Sequence, residues 1–115
     1  MFSINADFEK NRLYITLGAV ETGDGEKFFE EIRPLLAKME KGFSCISDIS
    51  RFSFIDPAEA DWVDEAIKTV SDAGMARVVR VTGTEVENRE TTEKLGYKVN
   101  LAKTVEDAEQ ILDSL

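Results

Sequence analysis

Ser47-Asp48-Ile49-Ser50-Arg51-Phe52-Ser53-Phe54-Ile55-Asp56-Pro57-Ala58-Glu59 links an apolar run to an amphipathic one that closes at Asp72-Ala73-Gly74. Upstream, Phe43, Cys45, Ile46 and Ile49 give the near-continuous apolarity of a strand covered on both faces. Downstream, Asp56 can cap a helix, Pro57 suits the first helical position, and Glu59 can complete a capping box. Trp62, Val63, Ala66, Ile67 and Val70 then recur at helical spacing, and Gly74 is a stop signal. A second strand is expected over residues 76–82, where Val78, Val79 and Val81 make the most β-prone segment of the chain. Strand, loop, helix, glycine and strand together make a β-α-β unit with a parallel pair.

The pattern extends in both directions. Residues 2–8 and 12–17 read as a β-hairpin: Leu13, Ile15 and Leu17 alternate with Tyr14 and Thr16, and Asn11 tolerates a left-handed turn. Residues 18–25 read as a loop, with Asp24 as a helix N-cap. Phe28, Phe29, Ile32, Leu35, Leu36 and Met39 form a helical stripe that Gly42 ends. Pro34 lies inside that stripe, so a kink or break is expected there. Residues 85–95 read as a polar, peripheral helix ended by Gly96, and residues 97–101 as a short edge strand. Thr104-Val105-Glu106-Asp107 resembles a capping box, opening a helix with Val105, Ala108, Ile111, Leu112 and Leu115 on one side. The expected class is α/β: one domain over residues 1–115, with the hairpin feeding a mostly parallel mixed sheet of about five strands and about four helices.

Composition narrows the function. The chain has 115 residues, enough to bury one core without disulfides or metals. Its net charge of -9 argues against nucleic acid and anionic membranes as partners. The sequence contains no histidine, which removes imidazole catalysis, Ser-His and Cys-His pairs and His-based metal sites. Cys45 is the single cysteine and sits among apolar neighbours, as an inert core thiol would. No basic-then-apolar leader and no apolar run of membrane-spanning length is present, so a cytoplasmic location is expected. Neither glycine-rich phosphate-binding fingerprint occurs. No cofactor or metal is expected.

The segment Asp48-Ile49-Ser50, followed at the family's spacing by Phe54-Ile55-Asp56, resembles the signature of the STAS family, the fold of bacterial anti-sigma-factor antagonists. The order of elements is similar over essentially the whole chain. Residues 77–83 and Gly96-Tyr97 also resemble a group of STAS-like bacterial proteins. The resemblance implies a regulatory protein–protein interaction module. It departs from the family at one point: where antagonists carry a phosphorylated serine after the Asp, this chain has Pro57 and Ala58. The resemblance therefore does not imply the usual phospho-switch. Asp56 and Glu59 would also repel a phosphate at that helix start.

The expected interaction surface comprises Asp48, Ser50, Ser53, Phe54, Asp56 and Glu59. Helix capping fully explains Asp56 and Glu59 and is the favoured reading of them, as local turns are of Ser50 and Ser53. Asp48 and Arg80 are expected near the C-terminal ends of neighbouring parallel strands, with Arg80 pairing with Asp48 or Asp56 as a structural ion pair or, less favoured, contacting a small anion. Of Phe52 and Phe54, one should seal the core. Trp62 reads as core. The leading expectation is a non-catalytic module with an unidentified protein partner, and homodimerisation through the hairpin or a helix is compatible with it. The alternative is a small-molecule or lipid-binding domain with an apolar cavity between sheet and helices, opened near Pro34. An enzyme is the least favoured reading.

Overall fold

The computed structural model describes residues 1–54, 60–86, 90–92 and 96–115, with Phe54, Ala60 and Thr92 described by backbone alone. Strand β1 (Phe2–Asp7) and strand β2 (Arg12–Leu17) form the expected hairpin. Asn11 sits at φ 53°, and its side-chain amide exchanges two hydrogen bonds of 3.0 Å with the backbone of Glu40. The turn is thereby pinned to the end of the first helix.

After β2 the chain forms β3 (Ala19–Val20), helix α1 (Asp24–Lys38), β4 (Ser44–Asp48), β5 (Ser53–Phe54) and α2 (Ala60–Asp72). It continues through β6 (Arg77–Val81), β7 (Thr91–Thr92), β8 (Lys98–Ala102) and α3 (Val105–Asp113). The main sheet has the order β1-β2-β4-β6-β8-β7. Strands β2, β4, β6 and β8 are parallel, and the edge strands β1 and β7 run antiparallel to their neighbours. A second, small sheet pairs β3 with β5.

Alternation along the strands divides the core into two layers. Leu13, Ile15, Cys45, Val78 and Val99 face α1 and α2, packing with Phe28, Phe29, Ile32 and Val70. Ile46, Val79, Val81 and Ala102 face α3, packing with Ala108 and Leu112. Thr104 caps α3 as expected, its hydroxyl accepting from the Asp107 N–H at 3.1 Å. Arg12, only 4% exposed, lies on the α3 side and donates to Asp113 at 2.7 Å.

Several expectations need correction. The α/β class, hairpin and mostly parallel sheet are present, but the described residues hold three helices rather than four. A continuous helix over residues 85–95 is not formed, because Thr91–Thr92 pairs with β8. Both are β-branched threonines, which suit a strand. Consequently β8, expected at the edge, is flanked on both sides. The 18–25 loop contains β3, and Gly23 rather than Asp24 is the N-cap of α1. Asp24 is the first helical residue. Its carboxylate accepts from the Glu21 N–H at 2.9 Å, which, together with the terminal ammonium, holds it below the ordinary range.

Helix α1 runs unbroken through Pro34. Pro34 and Glu30 are both exposed, so the carbonyl deprived of its N–H partner can be hydrated. Leu115 is 74% exposed and does not join the α3 stripe. No helix among the described residues is long and apolar enough to cross a membrane.

Candidate functional site

An apolar cleft of about 350 Å³ lies between the sheet and α2. Its floor is Ile15 and Leu17 from β2, Cys45 and Ser47 from β4, and Val78 and Arg80 from β6. Its roof is the inner side of α2, including Trp62, Val63, Ala66 and Val70. Ile49 and Phe52, from the loop after β4, close one side. Met75 and Tyr97 also line it.

The space follows from how the helices sit. On the other face, α3 lies close along β4, β6 and β8. Helix α2 has its closest helical neighbour in α1, and among the described residues it approaches no strand as closely as α3 does. Trp62 supplies the α1 contact. Its ring centroid is 5.3 Å from that of Phe28 and 6.4 Å from that of Phe29. It also rests on Gly25, where a Cβ would come within 2.6 Å of the indole. The small Ala66 sits farther along the same inner face and leaves room beneath the helix.

Only two strand residues bring polar chemistry to this floor. Ser47 and Arg80 are direct partners in the parallel register of β4 and β6, one residue before each strand ends. Both are half-buried. Among the described residues no carboxylate lines the cleft. Cys45 is fully enclosed, and burial pushes its thiol up to about 12, which leaves it protonated and unreactive at neutral pH. The indole N–H of Trp62 is buried and has no hydrogen-bond partner among the described residues.

The residues expected to form an interaction surface fall into two groups. Asp48, Ser50 and Ser53 are brought together in the β4–β5 connection. The Asp48 carboxylate accepts from the Ser50 N–H at 3.1 Å and the Ser50 hydroxyl at 2.7 Å. This loop abuts the chain after β6: a Cβ on Gly83, at φ 79°, would meet the Ser50 Cβ at 2.9 Å. Ser50 and Ser53 are exposed. Asp56, Glu59 and the Phe54 side chain lie outside the described residues. So do Pro57 and Ala58.

Arg80 lies beside Ser47, while Asp48 is opposite Val81 and engaged with Ser50. Asp48 and Arg80 thus both stand at the C-terminal ends of neighbouring parallel strands, as expected, but Ser47 and not Asp48 is the direct register partner of Arg80. Register gives the reason: residues one apart on a strand face opposite sides of the sheet. Phe52 packs against the core, whereas the Phe54 side chain lies outside the described residues. The cavity also differs from expectation in place, lying under α2 and not at Pro34.

A wider groove of about 550 Å³ lies beside α3, but most of its charged walls are already paired. Arg77 donates to Glu90 at 2.5 Å and to Asn100 at 2.6 Å, and Lys103 donates to Glu85 at 3.0 Å. Lys98 pairs with Glu90 at 2.8 Å and, with Arg77, holds that carboxyl below the ordinary range. The cleft under α2 is thus the more selective cavity, with apolar walls and one polar corner. No family model matches the chain, and no curated protein matches it.

Proposed function

We propose that this domain is a non-catalytic binding module whose cleft under α2 takes a small, largely apolar molecule. The observation that carries the proposal is the cleft itself. Native interiors are close-packed and rarely keep voids larger than a water molecule. A volume of about 350 Å³ falls instead in the range of small-molecule sites. Its walls are aliphatic and aromatic, and such cavities favour apolar occupants over water.

Decanol, displacing the neutral dye Nile red, tests this. The wild-type chain is expected to bind it at a single site. Ala66→Leu, which adds bulk to the roof, should weaken binding about tenfold or more. Its thermal stability should be equal or higher, since filling a cavity commonly adds about 0.5–2 kcal/mol. Absence of decanol binding by the wild-type chain would refute the proposal.

A second reading, a STAS-like regulatory surface engaging a protein partner, is favoured by the Asp48–Ser50 turn. That turn presents Ser50 and Ser53 at the surface beside the mouth of the cleft. The two readings are compatible, because Ile49 and Phe52 belong both to this loop and to the cleft wall. Under this reading the module would act without the usual phosphoserine after Asp56.

A further inference from the structure

We propose that strand β1, the open edge of the main sheet, is the contact through which two copies of this chain associate, antiparallel and about a two-fold axis at Ile4. The two six-stranded sheets then join into one.

Strand β1 stands first in the sheet order, and among the described residues no strand pairs with its outer side. In sequence, residues 87–89 and 93–95 flank β7, which is the opposite edge, and residues 55–59 link β5 to α2. The ladder with β2 determines which backbone groups are open. The Gly18 N–H donates to the Met1 carbonyl at 2.9 Å, so these two residues face each other as a hydrogen-bonded pair. Hydrogen-bonded and non-hydrogen-bonded pairs alternate along an antiparallel ladder. Ser3, Asn5 and Asp7 therefore turn their N–H and C=O groups towards β2, opposite Thr16, Tyr14 and Arg12. Phe2, Ile4 and Ala6 turn theirs outwards. Edge strands are commonly blunted by lysine, proline, a bulge or shortness. Strand β1 has none of these: its six residues include neither Lys nor Pro and match β2 one to one. The other edge, β7, is two residues long.

Self-complementarity selects a second copy as the occupant. When Ile4 faces Ile4 of the other copy, Phe2 faces Ala6 and Ala6 faces Phe2. Each such pair exchanges two hydrogen bonds, so every outward N–H and C=O of both strands is met. Sliding by two residues leaves the groups of Phe2 or of Ala6 unmet. Side chains favour the same register. Phe2, Ile4 and Ala6 are half-buried on the α1 side, and the large Phe2 falls beside the small Ala6. On the other side the exposed Ser3 and Asn5 meet as a polar pair. Asp7, the single charge of the strand, falls opposite Met1, so no like charges oppose each other.

The test is equilibrium sedimentation of the full chain from about 10 μM to about 1 mM. Salt of about 0.3 M screens the repulsion between chains of net charge -9. A reversible monomer–dimer equilibrium is expected, with Kd on the order of 100 μM, as suits a small interface. A chain that stays monomeric at about 1 mM overturns the proposal. Ser3→Lys combined with Asn5→Lys alters only exposed side chains and sets lysines directly opposite one another. It should raise Kd about tenfold or more with an unchanged circular dichroism spectrum. An unweakened dimer in that variant excludes β1 as the contact. Cysteine substitution reads the register without relying on the lysine variant. Ile4→Cys brings two thiols face to face at a Cα separation of about 5.5 Å, within disulfide reach, and should give a covalent dimer under mild oxidation. Ala6→Cys leaves them about 14 Å apart along the strands and should not. The native Cys45 is buried and stays out of the reaction. Crosslinking of Ala6→Cys as readily as Ile4→Cys, or of neither, overturns the two-fold axis at Ile4.

Discussion

Gly25 shows how one missing side chain shapes the molecule. It lies in the first turn of α1 and has no positive φ, so conformational freedom does not explain it. The explanation is space: Trp62 occupies the volume a Cβ would need. Alanine there would gain about 1 kcal/mol of helix propensity but force the indole to move. Overpacking typically costs about 1–3 kcal/mol. Gly25→Ala is therefore expected to lower stability in urea unfolding by about 1 kcal/mol net. Emission from Trp62, the single tryptophan, should shift at the same time. An unchanged emission spectrum in a fully stable variant would show that the Gly25–Trp62 contact does not set the position of α2.

Between elements, α3 is tied to β2 by the Arg12–Asp113 ion pair and by a hydrogen bond from the Tyr14 hydroxyl to Glu109 at 3.2 Å. Asp113 stands in the last turn of α3, where a negative charge opposes the helix dipole. Arg12 offsets this. Its hydrogen bond is the main reason the Asp113 carboxyl is held below its ordinary 3.8, with Lys10 adding a weaker attraction. Because the folded-state value is depressed, the stabilisation is fully present above about 3.8 and is lost as pH falls through the depressed value. Asp113→Asn should remove that part of the acid transition, read by circular dichroism against pH.

An asymmetry between the two partners is also expected at this joint. The Nε and Nη1 groups of Arg12 are buried without hydrogen-bond partners among the described residues. At neutral pH Asp113→Ala should destabilise more than Arg12→Met, because the first leaves a buried cation uncompensated and the second removes it. Equal losses in urea unfolding would contradict this account.

At the scale of the whole molecule, the two faces of the sheet are unequally packed. Helix α3 seals one face, while α2 spans a cleft on the other and leans on α1. Local opening takes the least energy where buried contacts are fewest. Amide exchange in α2 is therefore expected to be faster than in the buried strands β4 and β6 and faster than in the middle of α1. Decanol should slow exchange in α2 selectively. Protection in α2 equal to that of β4, or unaffected by a bound ligand, would argue against a cleft roofed by a loosely held helix.

The parts legible in the sequence are those written in local pattern. Alternation of Leu13, Ile15 and Leu17 specified a strand, helical spacing of Phe28, Phe29 and Ile32 specified a helix face, and Thr104 with Asp107 specified a cap. Each depends on residues within a turn or two of one another. The Thr91–Thr92 edge strand escaped because a two-residue strand has no period to read. The stretch from Ser47 to Gly74 specified the end of one strand, at Asp48, and the helix Ala60–Asp72 within it. Tertiary structure alone decided that Ser47, and not Asp48, would stand beside Arg80, that Arg12 would be buried against Asp113, and that Trp62 would slot against Gly25. Those outcomes rest on register and on the volumes that meet between distant elements, and neither is a property of any local run of residues. The cleft belongs with them: it is the space left when a helix with Ala66 on its inner face is held to its neighbour by Trp62.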